Sequence, residues 1–173
     1  DAKCHVIAWN GTSAGWLGFG NDEELCACIT EATGAPSTTS ILANNDLFRR
    51  HGVSNFGLVT PYTDDVQAKI IENFQKSGFH CVAERHLGIS DNFSFSEITE
   101  DLIEEMCRAV AADGAEAISI ICTNMRGAAL TEHLEAELGV VIYDSIAVVV
   151  RHALELSGID PKRVTGWGRI FAQ

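Results

Sequence analysis

Apolar positions along the chain fall into two alternating rhythms. The stretches "CHVIAW" (4–9), "NFGLVT" (55–60), "FHCVAERH" (79–86), "AISII" (117–121) and "VVIYD" (140–144) read as strands, "CHVIAW" and "AISII" as buried ones. Between them, apolar residues recur three and four positions apart. Val66, Ile70 and Phe74 share one face of a helix over about 65–77, and Leu102, Met106 and Val110 do so over about 99–112. Further helices are expected at 22–33, 40–51, 127–138 and 145–158, with Gly34, Gly52 and Gly78 as stops. "NGTSAGWLGFG" (10–20) reads as a glycine-rich loop, "APSTTS" as an extended link, and "PYTDD" as a turn ending on an Asp N-cap. Strand and helix alternate throughout, which predicts an α/β fold of parallel sheets with helices on both faces.

A length of 173 residues suits one domain, or two small lobes sharing a core. Hydrophobic residues make up 46% and charged residues 21%, enough apolar surface for a sizeable core. The net charge of −12 argues against nucleic acid and anionic membrane surfaces as partners, since both would repel it. A small anionic substrate stays compatible, because a site can be locally positive. No apolar run approaches the roughly 20 residues of a membrane span, and no signal-peptide pattern opens the chain. Cys4, Cys26, Cys28, Cys81, Cys107 and Cys122 fit neither a disulfide framework nor a zinc site, so a reduced, cytoplasmic protein is expected, each thiol reading first as a small core hydrophobe. The six histidines lack metal spacing, and there is neither a dinucleotide fingerprint nor a Walker lysine; no metal or cofactor is expected. The start is odd: there is no initiator Met, and "KCHVIAW" looks like a strand in progress, so the residues are expected to be part of a longer gene product.

Candidate chemistry gathers at three polar corners that follow apolar strands: Asn10-Gly11-Thr12-Ser13, Thr60-Pro61-Tyr62-Thr63 and Cys122-Thr123-Asn124. Ligands of α/β sheets bind at such strand ends. Each corner offers backbone N–H groups near an expected helix start, an array that binds anions and can stabilise an enolate or carboxylate oxygen. Cys122 could then give or take a proton, with a helix N-terminus lowering its pKa from ~8.5. Thr12 and Ser13 also read as turn and cap residues, and Tyr62 as a half-buried loop aromatic. Arg126 could clamp a carboxylate, and is equally explained as a surface residue at a helix start.

"NGTSAGW", "EATGAPSTTS", "LVTPYTDDVQAKI", "LGISDN", "ICTNMRG" and "GWGRIF" stand in the same order as their counterparts in the Asp/Glu racemase superfamily. The sequence resembles most the arylmalonate decarboxylases and maleate isomerase-like proteins of that group, over nearly its whole length. The resemblance implies two pseudo-symmetric flavodoxin-like lobes with parallel sheets and the active site between them. Residues 1–50 plus 151–173 would form lobe one, lacking its N-terminal part, and 51–150 lobe two. Racemases and isomerases of the superfamily use two cysteines. The second falls on Cys122, while the first would fall on Gly11, as in the decarboxylases, which also have glycine there.

The implied activity is a cofactor-independent decarboxylation of a substituted malonate or similar dicarboxylate. Thr12, Ser13 and Tyr62, with the N–H groups of Cys122 and Thr123, would hold one carboxylate and the enediolate, which Cys122 protonates. Two departures stand out: Thr123 replaces a glycine, and the loop at 88–95, "GISDNFSF", carries Asp91 and Asn92, which predicts a more polar pocket. Asn92, Phe95 and Arg126 are further pocket-lining candidates. A maleate isomerase-like or racemase-like enzyme and a silent carboxylate-binding protein are the alternatives. Oligomeric state stays open.

Overall fold

The computed structural model describes residues 2–173. Its elements follow the expected alternation: β1 (Ile7–Trp9), α1 (Ala14–Leu17), α2 (Gly20–Thr33), β2 (Ser37–Thr39), α3 (Ser40–His51), β3 (Asn55–Thr60), α4 (Asp64–Lys76), β4 (His80–His86), α5 (Glu100–Ala112), β5 (Ala117–Ile120), α6 (Thr131–Leu138), β6 (Val141–Asp144) and α7 (Ser145–Leu156). Four strands form one parallel sheet in the order β4-β3-β5-β6, and β1 and β2 form a second, parallel pair. An α/β fold with parallel sheets is thus what the alternation produces.

The larger sheet is buried because helices cover it. Phe56, Leu58, Val59, Ile118 and Ile120 are fully enclosed. Phe48 of α3 sits at the centre of an aromatic cluster with Phe56, Phe79 and Tyr143, its ring centroid 4.8–5.3 Å from theirs. Gly57 lets α5 close on β3: a Cβ there would stand 2.8 Å from the Val110 side chain. Ile70 and Phe74, on the predicted α4 stripe, are fully buried, and Val66 is partly covered. Gly34 and Gly52 end their helices in the left-handed region, which glycine adopts without steric cost.

Several local expectations need correction. The strand expected over 4–9 is only Ile7–Trp9, and it is half exposed rather than buried, because β1 has β2 alone as a neighbour. The supposed link "STT" is β2, paired Ile7↔Ser37 through Trp9↔Thr39; hydroxyl side chains hid it from any hydropathy pattern. The loop 10–20 contains the short helix α1 and the start of α2. The N-cap of α4 is Thr63, not an Asp; Asp64 and Asp65 occupy the first turn, where carboxylates suit the helix dipole. The helix expected over 127–138 begins as a 3-10 turn and becomes α-helical only at Thr131. The cysteines do not behave uniformly as core residues. Cys107 and Cys122 are buried, but Cys4, ahead of β1, is exposed, and so is Cys28, since α2 buries only Asp22. No helix among the described residues is long and apolar enough to cross a membrane.

Candidate active site

The carboxyl ends of β1, β3 and β5 open on one cleft of about 550 Å³, lined by Trp9, Gly11, Thr12, Ser13, Trp16, Tyr62, Thr63, Val66, Ile89, Ser90, Asn92, Phe95, Cys122 and Thr123. Each of the three polar corners contributes. The β1 corner brings Gly11, Thr12 and Ser13, the β3 corner Tyr62, and the β5 corner Cys122 and Thr123. Parallel strands all end on the same side, so residues more than a hundred positions apart converge without any local signal.

Thr12 and Tyr62 meet directly, with Thr12 Oγ1 2.9 Å from the Tyr62 hydroxyl. The Tyr62 ring is held from two sides. Trp16 packs edge-on at 5.1 Å between centroids, and Phe95 at 5.4 Å. Burial pushes the Tyr62 hydroxyl far above its ordinary pKa, reinforced by the neighbouring Cys122, while Thr12 opposes the shift. Tyr62 therefore stays a protonated donor at any physiological pH.

Cys122 is 2% exposed and stands one residue past the apolar run that ends β5. No helix begins there; Thr123–Met125 form a turn, and the expected lowering by a helix N-terminus does not occur. Instead burial raises the thiol pKa, against hydrogen bonds from the Asn124 N–H, the Tyr62 hydroxyl and the Met125 N–H that favour thiolate. The group is a thiol at neutral pH, a proton donor rather than a resting nucleophile. Among the described residues, no hydrogen bond within the protein engages the N–H of Cys122 or of Thr123. Both remain available for an anionic oxygen.

The 88–95 loop is less polar toward the cleft than its composition suggests. The Asp91 carboxylate turns away, accepting hydrogen bonds from the Ser94 N–H and hydroxyl at 2.9 and 2.7 Å. Asn92 does line the cleft, and its carbonyl and side-chain oxygens accept from Asn124 Nδ2, tying this loop to the Cys122 corner. Phe95 is buried against Tyr62. Arg126 lies elsewhere: exposed, it borders a separate hollow with Glu100, Ala129 and Trp167.

Sequence reasoning missed Trp9, Trp16 and Val66, while Ile89 and Ser90 lie in the 88–95 loop that the resemblance pointed to. Trp16 had a signal, since it lies one helical turn beyond Thr12, but reading 10–20 as loop concealed it. Two other groupings lack comparable chemistry. Asp46, His152 and Glu155 place ligand atoms within 4.8 Å of one another, yet Arg50 pairs with both carboxylates and Thr38 holds His152 Nδ1 at 2.7 Å. A hollow of about 670 Å³ beside α6 contains Glu135, whose carboxylate already accepts the N–H groups of Ile142 and Arg169.

Comparison with known proteins identifies the family and the fold. The chain is 28% identical over 169 residues to the arylmalonate decarboxylase of Bordetella bronchiseptica, covering 96% of this chain and 70% of that protein. A crystal structure of arylmalonate decarboxylase superposes with a TM-score of 0.87 at 25% identity, over 98% of this chain and 76% of the other. The maleate cis-trans isomerase of Nocardia farcinica, captured with a succinylcysteine intermediate, shares the fold with a TM-score of 0.90 at 23% identity, over 99% and 72% of the two chains. Residues 1–171 match the family described as arylmalonate decarboxylase, and the chain belongs to that family.

Proposed function

We propose that this protein is a cofactor-independent decarboxylase of a substituted malonate or a similar dicarboxylate. The observation that carries the proposal is the single buried thiol of Cys122 beside the hydrogen-bonded Thr12–Tyr62 pair, with glycine at position 11. A second proton-handling thiol is absent from the residues lining the cleft. That favours one-sided protonation over racemisation or isomerisation.

The reaction follows from the donors. One substrate carboxylate lies among the hydroxyls of Thr12, Ser13 and Tyr62 and the N–H groups of Cys122 and Thr123. The other faces the apolar side of the cleft, where the side chains of Val66, Ile89 and Phe95 offer no compensating donors. The bond from the α-carbon to this second carboxylate breaks and CO2 leaves. The electron pair stays on the α-carbon, delocalised into the retained carboxylate as an enediolate. The same donors stabilise that enediolate better than the starting carboxylate, because more charge now sits on its oxygens. The Cys122 S–H bond then gives its proton to carbon, and the resulting thiolate recovers one from solvent. Residues 1–50 with 151–173 act in this reading as one lobe and 51–150 as the other, with the cleft between them. In support, two residues of the 151–173 segment bond to the 1–50 segment: His152 Nδ1 lies 2.7 Å from Thr38 Oγ1, and Arg50 pairs with Glu155.

The test is turnover of prochiral aryl(alkyl)malonates in D2O, followed by CO2 release and by NMR of the product. Decarboxylation with one deuterium at the α-carbon of a single enantiomer is expected, lost in Cys122→Ser. Interconversion of maleate and fumarate, or racemisation of a chiral acid without CO2 release, would assign the protein to the isomerase or racemase reading instead.

A further inference from the structure

Trp9 ends β1 at the rim of the cleft, 52% exposed, and its indole lies across the backbone of Gly11. A Cβ built on Gly11 would stand 2.4 Å from Trp9 Nε1 and 2.8 Å from Cε2, closer than real Cβ atoms come to any neighbour. Gly11 is not among the positive-φ glycines, so its backbone conformation alone does not demand glycine. What a side chain at position 11 would meet is the tryptophan ring, which would have to shift to admit it. The ring and the missing Cβ therefore form one device. Trp9 and Gly11 wall the β1 side of the cleft, while Cys122 stands on the β5 side.

We propose that Trp9 is the residue that determines facial selectivity, its indole closing the Gly11 side of the cleft so that only the Cys122 face of the substrate carbanion is open to a proton. This rests on the decarboxylase reading above. A planar enediolate can accept a proton on either face. Water reaching the face away from the thiol would yield the opposite enantiomer, and a bicyclic aromatic plate excludes that water while offering apolar contact to the substituent. Its Nε1–H has no hydrogen-bond partner among the described residues, so no interaction with its own protein fixes the ring in another place. Glycine at 11 lets the ring sit close against the backbone; any larger residue lifts it.

The experiment compares the enantiomeric ratio of the acid formed from α-methyl-α-phenylmalonate by the wild-type enzyme, Trp9→Ala, Trp9→Phe and Gly11→Ala. Trp9→Ala should lower the ratio at least ~5-fold by admitting water to the second face. Trp9→Phe, which keeps a plate, should retain most of it. Gly11→Ala should resemble Trp9→Ala, because the new methyl displaces the ring. The ratio separates this role from mere damage, since a loosened fold slows CO2 release without choosing a face. Wild-type release of CO2 with the same ratio in Trp9→Ala and Gly11→Ala overturns the inference alone. No CO2 from wild-type enzyme with any malonate overturns the decarboxylase reading and this inference with it.

Discussion

The Thr12 Oγ1 and the Tyr62 hydroxyl lie 2.9 Å apart across fifty residues of sequence, both buried, where β1 and β3 end. This contact joins the two parallel sheets at the cleft. It also lets one hydroxyl orient the other toward a bound anion. Each is a donor whose direction depends on its partner, so the pair should act as a unit. Removing either hydroxyl, in Thr12→Val or Tyr62→Phe, is expected to lower kcat/KM by about 10²–10³-fold, the range for an oxyanion donor. The double variant should fall well short of the product of the two losses, with a coupling of about 0.5–3 kcal/mol. A double-mutant cycle on kcat/KM measures this, and strictly multiplicative losses would show that the two act independently.

Burial of Cys122 gives a second expectation, in chemical labelling. Only thiolate reacts with alkylating agents, and Cys122 is both enclosed and shifted away from thiolate by desolvation. Cys4 and Cys28 are exposed. With iodoacetamide at pH 8, Cys4 and Cys28 should label first and Cys122 at least ~10-fold more slowly, read by time-resolved mass spectrometry of peptides. Labelling of Cys122 at the rate of Cys28 would contradict a closed, protonated thiol.

The alternation of strands and helices was legible because the central strands β3 and β5 are buried and written as apolar runs, whereas the edge strand β4 is only partly covered and mixes in His80, Glu84 and Arg85. β2 was illegible for the opposite reason: Ser37, Thr38 and Thr39 are polar, and their strand conformation comes from pairing with β1. In the cleft, Thr12, Ser13, Tyr62, Cys122 and Thr123 could be named because polar residues directly after apolar strands stand out. Which way a loop side chain turns could not be read. Asp91 was expected to make the pocket polar, but its carboxylate caps the turn at Ser94. Arg126 could be named as a carboxylate clamp from its charge near the Cys122 corner, but it borders a neighbouring hollow and does not line the cleft.

The Tyr62 corner is braced by a polar chain that should respond to pH. Thr60 Oγ1 accepts the Tyr62 N–H and donates to Gln67 Oε1 at 2.6 Å; Gln67 Nε2 donates to Glu84, which also meets His86 Nδ1 at 2.8 Å. His86 Nε2 reaches Asp64 at 2.8 Å. The hydrogen bond to Asp64 raises the His86 pKa, with Glu84 adding to it against partial burial. A raised folded-state pKa means stability that is fully present below the unfolded value of about 6.5 and lost as pH rises through the folded value. NMR titration should place the His86 imidazole above 6.5. His86→Gln should flatten that part of the stability profile, measured by urea unfolding between pH 6 and 8. A His86 midpoint at or below 6.5 would remove the basis for the effect.

Asp144 ends β6 beside the β5 strand end and is fully buried. Its Oδ1 caps α7, accepting from the Ile146 and Ala147 N–H groups at 2.9 and 3.2 Å, while Oδ2 has no partner. The second oxygen is hemmed in at Gly127, where a Cβ would stand 2.8 Å from it. Burial pushes the Asp144 pKa up to about 7, against the two capping bonds. The folded state therefore holds a proton that the unfolded chain releases near its ordinary value of about 3.9. Between those two values the folded protein binds more protons, so stability falls as pH rises from about 4 and the loss is complete above about 7. Asparagine at this position keeps the capping oxygen and cannot ionise. Wild-type protein should lose more stability between pH 5 and pH 8 than Asp144→Asn, measured as the change in urea midpoint at each pH. Because the His86 contribution is common to both proteins, it cancels from the comparison. Equal losses would mean that Asp144 is ionised in the folded state at pH 5, and that its buried oxygen carries a charge without a partner.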